Sequence, residues 1–191
     1  MFTKAEIKRN LVGGLEVALF MPTAGKWFGN GAEEAVRSFA IPILFLPVGL
    51  LMVYLQPALM AMKATPNAFA LMFCFRTAIC TGLYLYCVYR IAKSLKRQKH
   101  FSQFVIAVNW LSVPAAVVFL PIMIVLATGT YNWEQVYPFA ICALIYFYAF
   151  LGFMATSILR RPWELGGFIA FIYFMIDNSG DVLFQMINRS L

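Results

Sequence analysis

The chain has 191 residues, of which 62% are hydrophobic and only 12% are charged. A soluble domain carries about 45–50% apolar and about 25% charged residues. An ordinary water-facing domain is therefore excluded, and so is disorder, which needs low hydrophobicity. The formal net charge is +7; in an integral membrane protein the first question is whether that excess sorts to one membrane face.

The N-terminal region, 1–37, is too polar to span. Thr3 and Glu6 have capping-box spacing. Ile7, Leu11, Leu15 and Leu19 then recur at i+4, with Lys4, Lys8, Arg9 and Glu16 elsewhere on the surface. This predicts an amphipathic helix. It either lies in the headgroup plane as an interfacial helix or packs on the end of the bundle, and both alternatives stay open. Charge interrupts its apolar run and no small-residue cleavage site follows, which argues against a signal peptide.

A transmembrane domain, 38–188, follows. A hydrocarbon core of about 30 Å needs about 20 apolar residues in a helix, and five stretches qualify. The first is 38–62, with no charge between Arg37 and Lys63. The second is 68–89, interrupted once by Arg76. The third lies within 101–130 and holds Pro114 and Pro121, either of which can kink it. The fourth is 135–159. The fifth is 165–188, contains Asp177 and Asp181, and is polar in its second half, with Gly180 able to loosen it. Pro66 and Pro162 break helical continuity at the turns. Short connections imply antiparallel neighbours. The expected fold is all-α: a polytopic membrane bundle of five transmembrane helices with an amphipathic N-terminal helix.

Numbering the sides by alternation puts 12 basic residues on one side and 2 on the other, with Arg76 inside the membrane. The positive-inside rule then places the N-terminus in the cytoplasm and, after five spans, the C-terminus outside. Trp27 and Trp163 fall at the inner interface, Tyr131 and Trp133 at the outer one. The densest basic cluster, Arg90, Lys93, Lys96, Arg97 and Lys99, sets topology and has the character of a contact for anionic lipid headgroups.

Ionisable groups inside a membrane are expensive and therefore informative. There are three: Arg76, Asp177 and Asp181. Counted from the expected outer ends, Arg76 lies about 12 Å deep, Asp181 roughly 10 Å and Asp177 roughly 16 Å at 1.5 Å per residue, all in the outer half. The aspartates are four apart and share a helix face. The pattern predicts that Arg76 pairs with one or both, as a bridge between spans two and five or as a proton, ion or headgroup site. Asn109, in the third span, is a candidate for a helix–helix hydrogen bond. Cys74, Cys80, Cys87 and Cys142 lack CxxC spacing and are expected as free, buried thiols. The one histidine, His100, sits in the basic loop and is expected to be solvated. No HExxH, GxSxG or P-loop pattern occurs, so the chain carries no catalytic, cofactor-binding or metal-binding residue set.

The order of parts, an amphipathic N-terminus, five spans and a short outer tail, together with Phe104-Val105-Ile106-Ala107-Val108-Asn109-Trp110 after a basic loop, resembles the Yip1-type membrane proteins, including bacterial members. The resemblance in residues covers that stretch alone. The acidic-tyrosine motifs of the eukaryotic members are not evident, so it implies architecture and a membrane location, here a bacterial inner membrane, and not a trafficking role. The expected function is that of a non-catalytic integral membrane protein, a subunit or organiser of a membrane complex acting through helix packing and lipid contacts. Its partners would be membrane lipids and other membrane subunits or further copies of itself, with no nucleic acid. The alternative is a small transporter or channel using the Arg76, Asp177 and Asp181 cluster.

Overall fold

The computed structural model describes residues 2–55 and 65–190. Among them there is no strand. The described residues form eight α-helices in order: α1 Lys4–Ala18, α2 Ala32–Ser38, α3 Ala40–Tyr54, α4 Pro66–Ser94, α5 Phe101–Trp110, α6 Ser112–Ala127, α7 Trp133–Leu159 and α8 Trp163–Ser190. They make five stretches long and apolar enough to cross a membrane, namely α2 with α3, α4, α5 with α6, α7, and α8. This is the make-up of an all-α membrane bundle. The end of the first expected span, Lys63 and Ala64 lie outside the described residues.

Prolines cut two of the five stretches. Pro42 has no N–H for the Ser38 carbonyl, and the helix breaks at Phe39 between α2 and α3. Pro114 likewise cannot bond the Trp110 carbonyl, and the third stretch breaks at Leu111 between α5 and α6. Pro121 lies inside α6 without ending it. The first stretch is helical from Ala32, six residues earlier than the sequence pattern placed it, so Glu33, Glu34 and Arg37, on α2, belong to the same spanning-length stretch as the apolar run of α3.

Helix α1 has the capping box that its sequence signals. The Thr3 hydroxyl accepts from the Glu6 N–H at 3.1 Å, and the Glu6 carboxylate accepts from the Thr3 N–H at 2.7 Å. Of the apolar stripe read from the sequence, Leu11 packs against the core. Ile7, Leu15 and Leu19 are exposed, while Asn10, Gly13, Gly14, Val17 and Ala18 pack inward. Small side chains allow α1 to approach the kink closely: a Cβ on Gly14 would sit 3.6 Å from the Trp110 carbonyl and from the Pro114 ring. The helix ends on Phe20 at φ 55°, a left-handed residue held by edge contacts of its ring to Tyr146 and Phe153. The Tyr146 hydroxyl donates to the Ala18 carbonyl nearby. Helix α1 is thus docked on the bundle with an apolar stripe left facing outward.

The packing has two characters. Toward the basic loops the helices close on a solid core in which Val88, Phe104, Ile106, Phe150, Met154 and Leu159 are fully buried. Toward the other end the bundle loosens into two smaller clusters, Phe69, Phe73 and Phe184 between α4 and α8, and Ile122, Val136 and Ala143 between α6 and α7. The hairpin of α7 and α8 turns on Arg160, in the left-handed region at φ 52°, with Pro162 two residues on. The two helices then cross at glycines: a Cβ on Gly166 would lie 2.3 Å from the Gly152 carbonyl oxygen and 2.1 Å from the Thr156 hydroxyl. Helix α8 runs unbroken through Asn178, Ser179 and Gly180, so Gly180 does not loosen it.

Two expectations follow. Gly166→Val drives a side chain into the Gly152 backbone and lowers stability by about 1–3 kcal/mol, whereas Gly167→Val, with open space around it, leaves the thermal midpoint in detergent unchanged. For Glu6, the Thr3 backbone hydrogen bond, followed by the Thr3 hydroxyl and Arg37, holds the carboxyl below the ordinary glutamate range against opposing desolvation. A depressed folded-state pKa means that this stabilisation is present above the unfolded value and is lost as pH falls through the folded one. Protection of the α1 amides in hydrogen exchange therefore falls on acidification in the native chain and changes less in Glu6→Gln.

Candidate functional site

Helices α4 and α8 lie antiparallel, with Phe69 against Phe184 at 5.2 Å between ring centres and Tyr84 against Tyr173 at 4.9 Å. That register brings Arg76 opposite Asp177 and Asp181. One guanidinium nitrogen, Nη2, donates to Asp177 Oδ1 at 2.7 Å and to the Asp177 carbonyl at 2.9 Å, and stands 2.9 Å from Asp181 Oδ1. The Arg76 side chain is 14% exposed, Asp177 36% and Asp181 51%, so the arginine is the enclosed partner and the carboxylates form the rim. Gly180 is the residue that lets the helices come this close. A Cβ there would meet Cys80 Sγ at 2.5 Å and Arg76 Nε at 3.2 Å.

Arg76 is ten residues from the start of α4 and Asp177 thirteen from the end of α8, about 15 and 20 Å. That is near the middle of a hydrocarbon core of about 30 Å.

Beside the ion pairs is a polar cavity of about 150 Å³, lined by Arg76, Thr77, Thr81 and Tyr84 from α4 and by Tyr173 and Asp177 from α8. Three of its polar atoms are buried with no hydrogen-bond partner among the described residues: Arg76 Nε, Thr77 Oγ1 and the Tyr84 hydroxyl. Tyr84 is only 2% exposed. Nothing in the one-dimensional pattern marked Thr77 or Tyr84; only their recurrence with Arg76 at helical spacing, 76, 77, 80, 81 and 84, hints at one face. On the far side of Tyr173 an apolar groove of about 370 Å³ runs between α3, α6 and α7.

A second polar network ties α1 to α2, and the sequence pattern did not mark it either. Arg9 and Asn10 both donate to Glu34, and Arg37 pairs with Glu6 at 2.7 Å. One turn on, Asn109 Nδ2 donates to Ser38 Oγ at 2.8 Å, which in turn donates to the Ala35 carbonyl. Asn109 therefore joins α5 to α2.

In the basic loop, Arg90, Lys93, Lys96 and Lys99 are exposed and Arg97 is half-buried. Arg90 donates to the Tyr86 hydroxyl at 2.9 Å. Lys96 takes the left-handed position at φ 56° that ends α4, with the Arg97 N–H reaching back to the Ala92 carbonyl. His100 is not solvated. It is 9% exposed, with Nδ1 3.4 Å from Gln103 Oε1, and Gln103 in turn donates to the Gly25 and Phe28 carbonyls. The cysteines are free, but none is fully buried: Cys74, Cys80 and Cys87 are half-buried and Cys142, on the outer face of α7, is exposed. Among the described residues no group of His, Cys, Asp and Glu could hold a metal ion.

Compared with family models, with curated proteins and with solved structures, the chain matches none.

Arg76→Leu strands two carboxylates at mid-depth. Because both are part-exposed, the destabilisation is discounted from the fully buried case to about 2 kcal/mol. The triple change Arg76→Leu with Asp177→Asn and Asp181→Asn is the milder one, read as a higher thermal midpoint than the single variant.

Proposed function

We propose that this protein is a non-catalytic integral membrane protein that serves as a subunit or organiser of a membrane assembly, working through helix packing and lipid contacts. The observation that carries this reading is a polar stripe on α8. Asn178, Asp181 and Gln185 recur at i, i+3 and i+7 on one face and all are exposed. They lie about 7–18 Å from the end of the helix, at depths where lipid offers no hydrogen-bond partner. A stripe of this kind suits a partner helix, another chain or a second copy, which would satisfy the amides. The ionisable side chains at depth support the same reading, because Arg76, Asp177 and Asp181 hold helices to one another.

Lipid contacts follow from helix lengths. Helix α4 has 29 residues, about 43 Å, which exceeds the hydrocarbon core by about 13 Å. Helix α1 crosses the bundle at the level of Trp110, nine residues along from Phe101, about 13 Å above the basic end. With the excess projecting on the basic side, α1 lies at the bilayer surface. Ile7, Leu15 and Leu19 then face the acyl chains. Arg90, Lys93, Lys96, Arg97 and Lys99 stand about one Debye length beyond, still within reach of anionic headgroups. The charge bias orients this end to the cytoplasm. The resemblance of 104–110 to Yip1-type proteins is in keeping with a membrane location.

A second reading, a small transporter or channel, is favoured by the polar cavity beside Arg76. Against conduction, the cavity is floored by Tyr84, and the chain below it packs without a polar track through Val88, Phe104 and Phe150.

The test is isolation in native nanodiscs. The expected result is a complex of fixed stoichiometry that Asn178→Leu with Gln185→Leu weakens about five- to tenfold, as the loss of two interhelical hydrogen bonds in a membrane implies. A chain that is monomeric there, and whose vesicles pass ions in a manner abolished by Asp177→Asn, sinks the subunit reading in favour of the second.

A further inference from the structure

The charge cluster does not balance. Arg76 contributes one positive charge against the two carboxylates of Asp177 and Asp181, both within 3 Å of the same guanidinium nitrogen. One negative charge is left over near mid-membrane, where an uncompensated charge is strongly disfavoured. Arg76 Nη2 already serves both carboxylates, and no other cation is bonded to either among the described residues.

The adjoining cavity supplies what a small positive species needs. Asp177 lines it with the hydroxyls of Thr77 and Tyr84, both without a protein partner, the latter on a side chain 98% enclosed by the 2% figure for its exposure. Its volume, about 150 Å³, holds several waters with two to four polar partners each. Phe73 and Tyr173 form part of its wall, and aromatic side chains are compatible with a neighbouring cation. A bulky organic cation does not fit this volume, and an anion would add to the unbalanced charge.

We propose that Asp177, Asp181, Thr77 and Tyr84 form a site for one small monovalent cation, either a hydrated proton or an alkali ion, which neutralises the Arg76 cluster. The ion sits in the cavity beside Asp177, which ends at the buried Tyr84, and Asp181, 2.9 Å from the same guanidinium nitrogen, supplies the second negative charge. The other titratable groups facing it are Cys80 on α4, Tyr173 on α8 and Tyr148 on α7. Cys80, the one thiol among them, is controlled for by substitution. The proposal holds whether or not the chain has a partner, so it does not stand or fall with the association experiment.

The experiment is thermal unfolding of the full chain in mild detergent. One arm titrates sodium or potassium chloride at pH 8 against choline chloride at equal ionic strength. The other lowers pH from 8 to 5.5 at fixed salt. A ligand held tenfold above its dissociation constant raises the midpoint of a chain this size by about 3–6 °C. A saturable rise with sodium or potassium identifies an alkali ion, and a rise on acidification identifies the proton. Asp181→Asn starts from a higher midpoint without ligand and loses the response. Thr77→Val with Tyr84→Phe keeps the ion pairs and reduces the alkali response severalfold. Cys80→Ser keeps the full response. The proposal is overturned if neither arm exceeds the choline control, if Asp181→Asn responds like the native chain, or if Cys80→Ser abolishes the effect.

Discussion

A buried polar group cut off from water must find a partner, and the way this chain meets that constraint organises its helices. Apolar contact by itself gives little preference between one helix neighbour and another in lipid, where the surroundings are as apolar as leucine. Polar ties supply the preference. Arg76 with Asp177 and Asp181 sets α4 against α8. Asn109 with Ser38 sets α5 against α2. Glu34, taking donors from Arg9 and Asn10, fastens α1 to α2. Each tie spans segments far apart in the chain, so each defines a neighbour and a register.

Close approach is the second requirement, because these ties are short and side chains between helices would hold them apart. Gly180 opens the space for Arg76 and Cys80, and Gly152 with Gly166 brings α7 and α8 nearly to backbone contact. The breaks at Phe39 and Leu111 do related work. They bend two spanning stretches at the level where α1 docks, so that the small face of α1 seats on Trp110 and Pro114. The result is a bundle sealed at its basic end and looser at the other, with its polar cavity between the two regions.

Much of this was legible in the residues. The five apolar stretches, the capping box of Thr3 and Glu6, and the turn at Pro162 all follow from local chemistry: hydropathy over about 20 residues, a hydroxyl and a carboxylate three apart, a missing N–H. Arg76, Asp177 and Asp181 stood out because charge is rare in such stretches. By contrast Thr77 and Tyr84 looked like ordinary span residues, since a hydroxyl is conspicuous only once its lack of a partner is known. The Glu34 network was hidden for a different reason. Its members sit in polar segments where charged side chains attract no notice.

Length, apolar content and the spacing of Gly, Pro and charge are properties of the chain itself, so the sequence by itself determined an all-α chain with five spanning-length stretches, a helical N-terminus and a basic bias on one side. The tertiary structure decided the rest: that α1 turns its small face inward and Ile7 and Leu15 outward, that Gly180 is a contact point and not a hinge, that His100 is covered, and that one arginine serves two carboxylates beside a polar cavity. These depend on distances between segments up to about a hundred residues apart, which no local pattern encodes. Composition showed how few charges the chain carries; packing decided which of them remain unbalanced.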